Sequence, residues 1–122
     1  MQDLSVDRII ALHDTIIRRD GGDRRVLTEA NLHQVVFQAN LFSEVIPRAA
    51  FCFYALIAYP AFRQGNCRTA KALAEDVLSD NGYSFDSTGS EALTSLARGI
   101  LDFSVEPEEI EAWMAAHAEK SC

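Results

Sequence analysis

The chain has 122 residues, of which 48% are hydrophobic and 24% charged, and its formal net charge is −7. That length and balance describe a single domain over residues 1–122 with a real core. The acidic excess argues against nucleic acid or an anionic membrane surface as the main partner. Three cysteines, Cys52, Cys67 and Cys122, stand at unrelated spacings. They form neither a disulfide framework nor a zinc signature, and they fit a reducing cytoplasm. The N-terminus lacks the basic-then-apolar build of a signal peptide, and the longest apolar run, 49–59, is too short to span a bilayer.

Ser5 is a helix cap followed by Val6, Ile9, Ile10, His13, Ile16 and Ile17 at the spacing of one helical face, and Gly21-Gly22 ends that helix. His13 falls on the apolar stripe, where a histidine more often holds a backbone carbonyl than performs catalysis. Residues 23–27 form a loop or short extended piece with Arg24 and Arg25 exposed to solvent. Thr28 caps a second helix with the stripe Leu32, Val35, Val36, Ala39 and Phe42, with His33 on its exposed side. Pro47 suits the first turn of a third helix. From 49 to 58 there is no charge, and Phe51, Phe53, Tyr54, Leu56 and Ile57 cover every face, which places this helix at the centre of a helical domain.

Tyr59-Pro60-Ala61-Phe62-Arg63-Gln64-Gly65-Asn66-Cys67-Arg68-Thr69-Ala70 opens the fourth helix. Gly65 allows the backbone to approach an anion, the first helical N–H groups point at it, and Asn66 and Arg68 can add side-chain donors. Cys67 lies in the same first turn, next to Arg68 and near Lys71, surroundings of the kind that depress a thiol pKa; a small side chain simply tolerated at that position is the more frequent case. Ala70, Leu73, Ala74, Val77 and Leu78 face inward, and Asn81-Gly82 stops the helix. Residues 83–85 read as briefly extended. Ser87 or Ser90 caps a fifth helix, and Pro107 opens a sixth carrying Ile110, Trp113, Met114 and His117. No strong strand is expected, and the pattern gives an all-α domain of six helices.

Three separated features resemble the Fic/Doc family, and its Doc (death-on-curing) branch in particular. They are Ile10-Ala11-Leu12-His13-Asp14 with Gly21-Gly22; Phe62-x-x-Gly65-Asn66-x-Arg68-Thr69-Ala70; and Asn81-Gly82-Tyr83 with the start of the last helix. The second is similar to the family motif His-x-Phe-x-Asp/Glu-Gly/Ala-Asn-Lys/Gly-Arg-Thr-Ala. The resemblance covers nearly the whole chain and keeps the order of elements. It implies a compact helical fold with the motif helix beside an apolar central one. It also implies transfer of a phosphate-containing group from a nucleotide to a protein hydroxyl, and an antitoxin partner whose helix lies in a groove near the site.

Carried onto this chain, the resemblance gives Phe62 as an anchor and Gly65, Asn66, Arg68, Thr69 and Ala70 as direct matches. Cys67 stands at the Lys/Gly position, and Lys71 stands where Fic members carry a second arginine. The histidine position holds Pro60, or Tyr59 if one residue is inserted, and the acid position holds Gln64. Proline accepts no proton, and tyrosine is a poor base at neutral pH. An amide oxygen is a weak magnesium ligand. Missing a positioned base alone lowers a rate by roughly 10²–10⁴. The expectation is therefore a protein that keeps phosphate or nucleotide (ATP-class) binding at Gly65, Asn66, Cys67, Arg68 and Lys71. Magnesium binding is weak or absent, and the protein is impaired as an enzyme or repurposed for partner binding. The alternative is an active phosphoryl- or nucleotidyl-transferase acting on a translation factor-like protein, with His13, His33 or His117 recruited as base. The run Ser87-Thr88-Gly89-Ser90-Glu91-Ala92 lacks the final Gly or Asn of the self-inhibiting Fic helix and reads as a cap.

Overall fold

A computed structural model describes residues 1–86 and 89–120. It holds six helices, α1 (Val6–Asp20), α2 (Glu29–Ala39), α3 (Val45–Ala58), α4 (Asn66–Asp80), α5 (Gly89–Leu101) and α6 (Pro107–His117). Two short strands, β1 (Tyr83–Phe85) and β2 (Ala118–Lys120), complete the chain.

Local chemistry sets most of the boundaries. The Ser5 hydroxyl accepts the N–H of Arg8 at 3.1 Å and the Thr28 hydroxyl that of Asn31 at 3.4 Å, so each satisfies an otherwise unpaired donor. Gly21 follows α1 at φ +83, and Gly82, at φ +82, turns the chain after α4. Pro107 opens α6, where Glu109 Oε1 accepts the N–H of Glu106 at 3.3 Å.

The apolar helix α3 packs against α2, α4, α5 and α6. Its Ala49, Cys52, Phe53, Ala55, Leu56 and Ile57 are buried, while Phe51, Tyr54 and Ala58 reach the rim of the core. Burying a large apolar side chain is worth about 1.5–3 kcal/mol, so this helix is the main source of cohesion. At its start Arg48 is buried as well. Its guanidinium donates to the carbonyls of Gln2 (2.9 Å), Asn40 (3.3 Å) and Phe42 (2.9 Å), fastening the N-terminal segment and the α2–α3 link to α3. Asn40 adds a two-way clamp, accepting the N–H of Leu4 at 2.8 Å and donating to its carbonyl at 3.1 Å.

Two expectations need correction. Helix α2 stops at Ala39, so Phe42 is not part of its inner stripe; it lies in the following turn, partly exposed, its ring 5.4 Å from that of Phe51. A strand pair is also present. β1 runs antiparallel to β2, with Tyr83 opposite Lys120 and Phe85 opposite Ala118. Ala-Glu-Lys has no strand pattern of its own, and the pairing partner imposes the extended form. The cap expected at Ser87 lies outside the described residues, as does the side chain of Ser90.

No helix among the described residues is long and apolar enough to cross a membrane.

Gly99, inside α5, tests the packing of the turn that follows. A Cβ there would lie 2.2 Å from Val105 Cγ2, and the Gly99 carbonyl already accepts the N–H groups of Ser104 (2.9 Å) and Val105 (3.1 Å). Gly99→Ala is expected to lower stability by about 1–3 kcal/mol in chemical denaturation. Val105→Ala introduced into that background should recover part of the loss, a coupling that a double-mutant cycle reads directly.

Candidate anion-binding site

Residues 60–66 form a closed turn before α4. Asn66 Nδ2 donates to the Phe62 carbonyl at 2.8 Å, and Asn66 Oδ1 accepts the Phe62 N–H at 3.1 Å. The Asn66 side chain is thus occupied in shaping the turn, and what Asn66 presents outward is its backbone N–H. The α1–α2 loop braces the other side. Ala61 accepts the N–H groups of Leu27 (2.7 Å) and Thr28 (3.2 Å), and Arg63 donates its N–H to Arg25 at 3.2 Å.

Beneath the turn lies His13. Its ring, 1% exposed, stacks on Phe62 with centroids 3.6 Å apart and planes 5° apart. Nε2 is 2.7 Å from the Gln64 carbonyl. A carbonyl can only accept, so Nε2 carries the proton in this contact. Gln64 also reaches across to the α1–α2 loop, where its Oε1 accepts the N–H of Asp23 at 2.8 Å. The residue at the acid position is therefore a strut between two loops.

Gly65 caps α4 at φ +81, and a Cβ there would lie 3.1 Å from Ile17 Cδ1 and 3.4 Å from His13 Nε2. No side chain caps the helix. The N–H groups of Asn66, Cys67 and Arg68 precede the first intrahelical bond, Thr69 N–H to Gly65 O at 2.9 Å, and have no acceptor within the helix. They suit an anion. Residues of this turn also line a cavity of about 390 Å³, whose walls are Ile57, Pro60, Arg63, Gln64, Gly65, Asn66, Cys67, Arg68 and Leu101.

Pro60, not Tyr59, lines that cavity; Tyr59 borders a separate groove of about 210 Å³ between α2 and α3. Lys71 does not line it either, and its charge acts on Glu75 one turn on. His33 is exposed on α2, and neither it nor His117 lines the cavity. His117 Nδ1 instead pairs with Asp86 Oδ2 at 2.9 Å.

The sequence did not reveal how charge is arranged around the turn. Asp14 pairs with Arg18 (2.9 Å) and Arg24 (3.4 Å); Asp20 with Arg19 (2.9 Å) and Arg68 (3.3 Å); Asp23 with Arg25 (2.6 Å) and Arg63 (3.4 Å). Each carboxylate thus lies between two arginines. The Arg25 guanidinium, with its backbone N–H, pulls Asp23 down to about 2, and Arg19 holds Asp20 below its ordinary range.

This donor set does not fit a magnesium ion. The acid position carries an amide oxygen that is already bonded, and the nearby carboxylates are held by cations. Among the described residues no three His, Cys, Asp or Glu side chains converge as metal ligands. The same geometry does suit a phosphate or carboxylate, through free backbone N–H groups and arginine forks.

Cys67 lacks the depressed thiol that the reactive reading calls for. Half-buried, its thiol is pushed above the ordinary value by burial, not depressed; Arg68 is turned to Asp20.

No protein-family model matches the chain, and no curated protein matches it.

Two outcomes test this description. His13→Phe keeps a ring on Phe62 but leaves the Gln64 carbonyl without its donor, and it should cost about 1–3 kcal/mol in denaturant unfolding. In a Cys122→Ser background, Cys67 should react with a thiol reagent at neutral pH no faster than free cysteine. Cys52, fully buried with its thiol raised to about 12, should react only on unfolding.

Proposed function

We propose that the chain is a Doc-like protein with a Fic-type helical fold, of the toxin–antitoxin kind. On this reading it keeps an anion-binding turn and acts by binding a protein partner, not by transferring a group. One observation carries the proposal: the side chains best placed to be base or metal ligand are committed to holding backbone. His13 holds the Gln64 carbonyl, Gln64 Oε1 holds the Asp23 N–H, and Pro60 stands where the family has its histidine. The open first turn of α4 supports retained binding of phosphate or an ATP-class nucleotide without magnesium.

The partner proposed is an antitoxin-like helix. The groove lined by Asn31, Gln34, Val35, Gln38, Phe51, Ala55 and Tyr59 is uncharged and suits a helix laid into it. Free Cys52 and Cys67 agree with a cytoplasmic setting.

The second reading is an active transferase acting on a protein hydroxyl, and one placement favours it: His13 Nε2 lies against the turn. Its burial and its bond to the carbonyl weigh against it, because a base must reach the hydroxyl it activates.

The test is label transfer from ATP or GTP, with magnesium, into the proteins of a cell extract. Wild type should transfer nothing, whereas Pro60→His with Gln64→Asp should gain activity. Transfer by wild type that disappears in Arg68→Ala would overturn the binding-only reading and support the transferase.

A further inference from the structure

Six of the chain's eleven basic residues, Arg18, Arg19, Arg24, Arg25, Arg63 and Arg68, surround one turn and share three aspartates, so three of their positive charges stay unmatched. The arginine side chains are 42–70% exposed. A single Arg–Asp pair at a surface is commonplace; six arginines on three acids in a chain of net charge −7 are a concentrated positive field.

We propose that this rim is a docking surface for a short acidic segment of a partner protein, three or more carboxylates long, with an apolar residue seated in the adjoining cavity. The proposal rests on the partner-binding reading and names the chemistry of the partner.

Charge complementarity sets the acidic character. Each guanidinium has five N–H donors, and its aspartate occupies only part of the fork. The apolar residue follows from the cavity walls, where Ile57, Pro60 and the exposed Leu101 line the same cavity as Arg63 and Arg68. The α2–α3 groove lined by Tyr59 and the rim cavity lined by Pro60 meet at neighbouring residues of the chain. A long nucleic acid is disfavoured, because the rest of the chain carries fifteen acidic residues against five basic ones. A short segment lies within about one Debye length, roughly 8 Å, of the rim and escapes that repulsion.

The experiment is fluorescence anisotropy with the full chain and a labelled peptide of alternating Glu and Asp around one Leu. Its comparison probes are a Lys-for-acid version, the same peptide with Ala for Leu, and single-stranded oligo-dT. The expected Kd is on the order of 10 µM at low salt, weakening at least about tenfold by about 0.3 M salt. Arg24→Glu with Arg63→Glu should abolish binding, whereas Arg98→Glu, exposed on α5, should change it by less than about threefold. Arg24→Gln with Arg63→Gln should weaken binding without reversing charge, and thermal melts confirm that each variant is folded. Equal loss in Arg98→Glu, tighter binding of oligo-dT, or no peptide binding would overturn the proposal. So would concentration-dependent self-association in place of peptide binding, since the acidic stretch 102–111 of a second copy would then be the occupant. Label transfer by wild type alongside intact peptide binding would sink the binding-only reading and leave the arginine rim standing.

Discussion

The bond from His13 to the Gln64 carbonyl, made under the ring of Phe62, is the contact on which the architecture of the site depends. It joins α1 to the turn that starts α4 from a buried ring to a part-buried carbonyl. Losing a partner in such a bond costs about 1–3 kcal/mol, so the turn and α1 are held together. The Phe62 ring stacks parallel to the imidazole and holds its orientation. Glycine suits residue 65 because φ there is left-handed, and a Cβ would also sit tightly against Ile17, at 3.1 Å from Cδ1.

With the turn fixed from below, its outward face follows. Asn66 closes on Phe62 from both sides of the peptide, which aims the first turn of α4 outward without using a cap. Gln64 ties the α1–α2 loop to the same point, where Arg25 and Arg63 share Asp23. The charge rim and the open helix end are thus two consequences of one folded turn. Neither requires a carboxylate or a free imidazole.

Much of the fold was legible because its punctuation is local. Ser5, Thr28, Gly21-Gly22, Asn81-Gly82 and Pro107 act on neighbours within a turn, and the uncharged run of α3 announces a central helix wherever it is placed. The site was legible in part. Gly65 and Asn66 marked the turn, and His13 stood out on the apolar stripe. What stayed hidden depends on partners far away in sequence: Gln64 meets residues 41 and 51 positions back along the chain. Arg24 and Arg25 read as ordinary solvated charges until Arg63 and Arg68 came alongside. β2 was invisible for the same reason, since Ala118–Lys120 is extended only through its pairing with β1.

The N-terminus of α4 gives the last step. Helices α1 and α2 are capped by a hydroxyl, and replacing such a cap by alanine usually costs about 0.5–2 kcal/mol. At α4 a capable side chain, Asn66, is one residue away, yet it bonds backward to Phe62, and Gly65 supplies only the conformation. The motif therefore stabilises the shape of the turn and leaves the donors of the helix to solvent or to a ligand. The left-handed φ of +81 at residue 65 excludes the extended backbone that an Asp, Ser or Thr cap adopts, so no side-chain oxygen takes the place of an acceptor at that end. An uncapped helix end, held from α1 by a buried histidine and bordered by Arg68, supplies the donors on which the proposed anion binding rests.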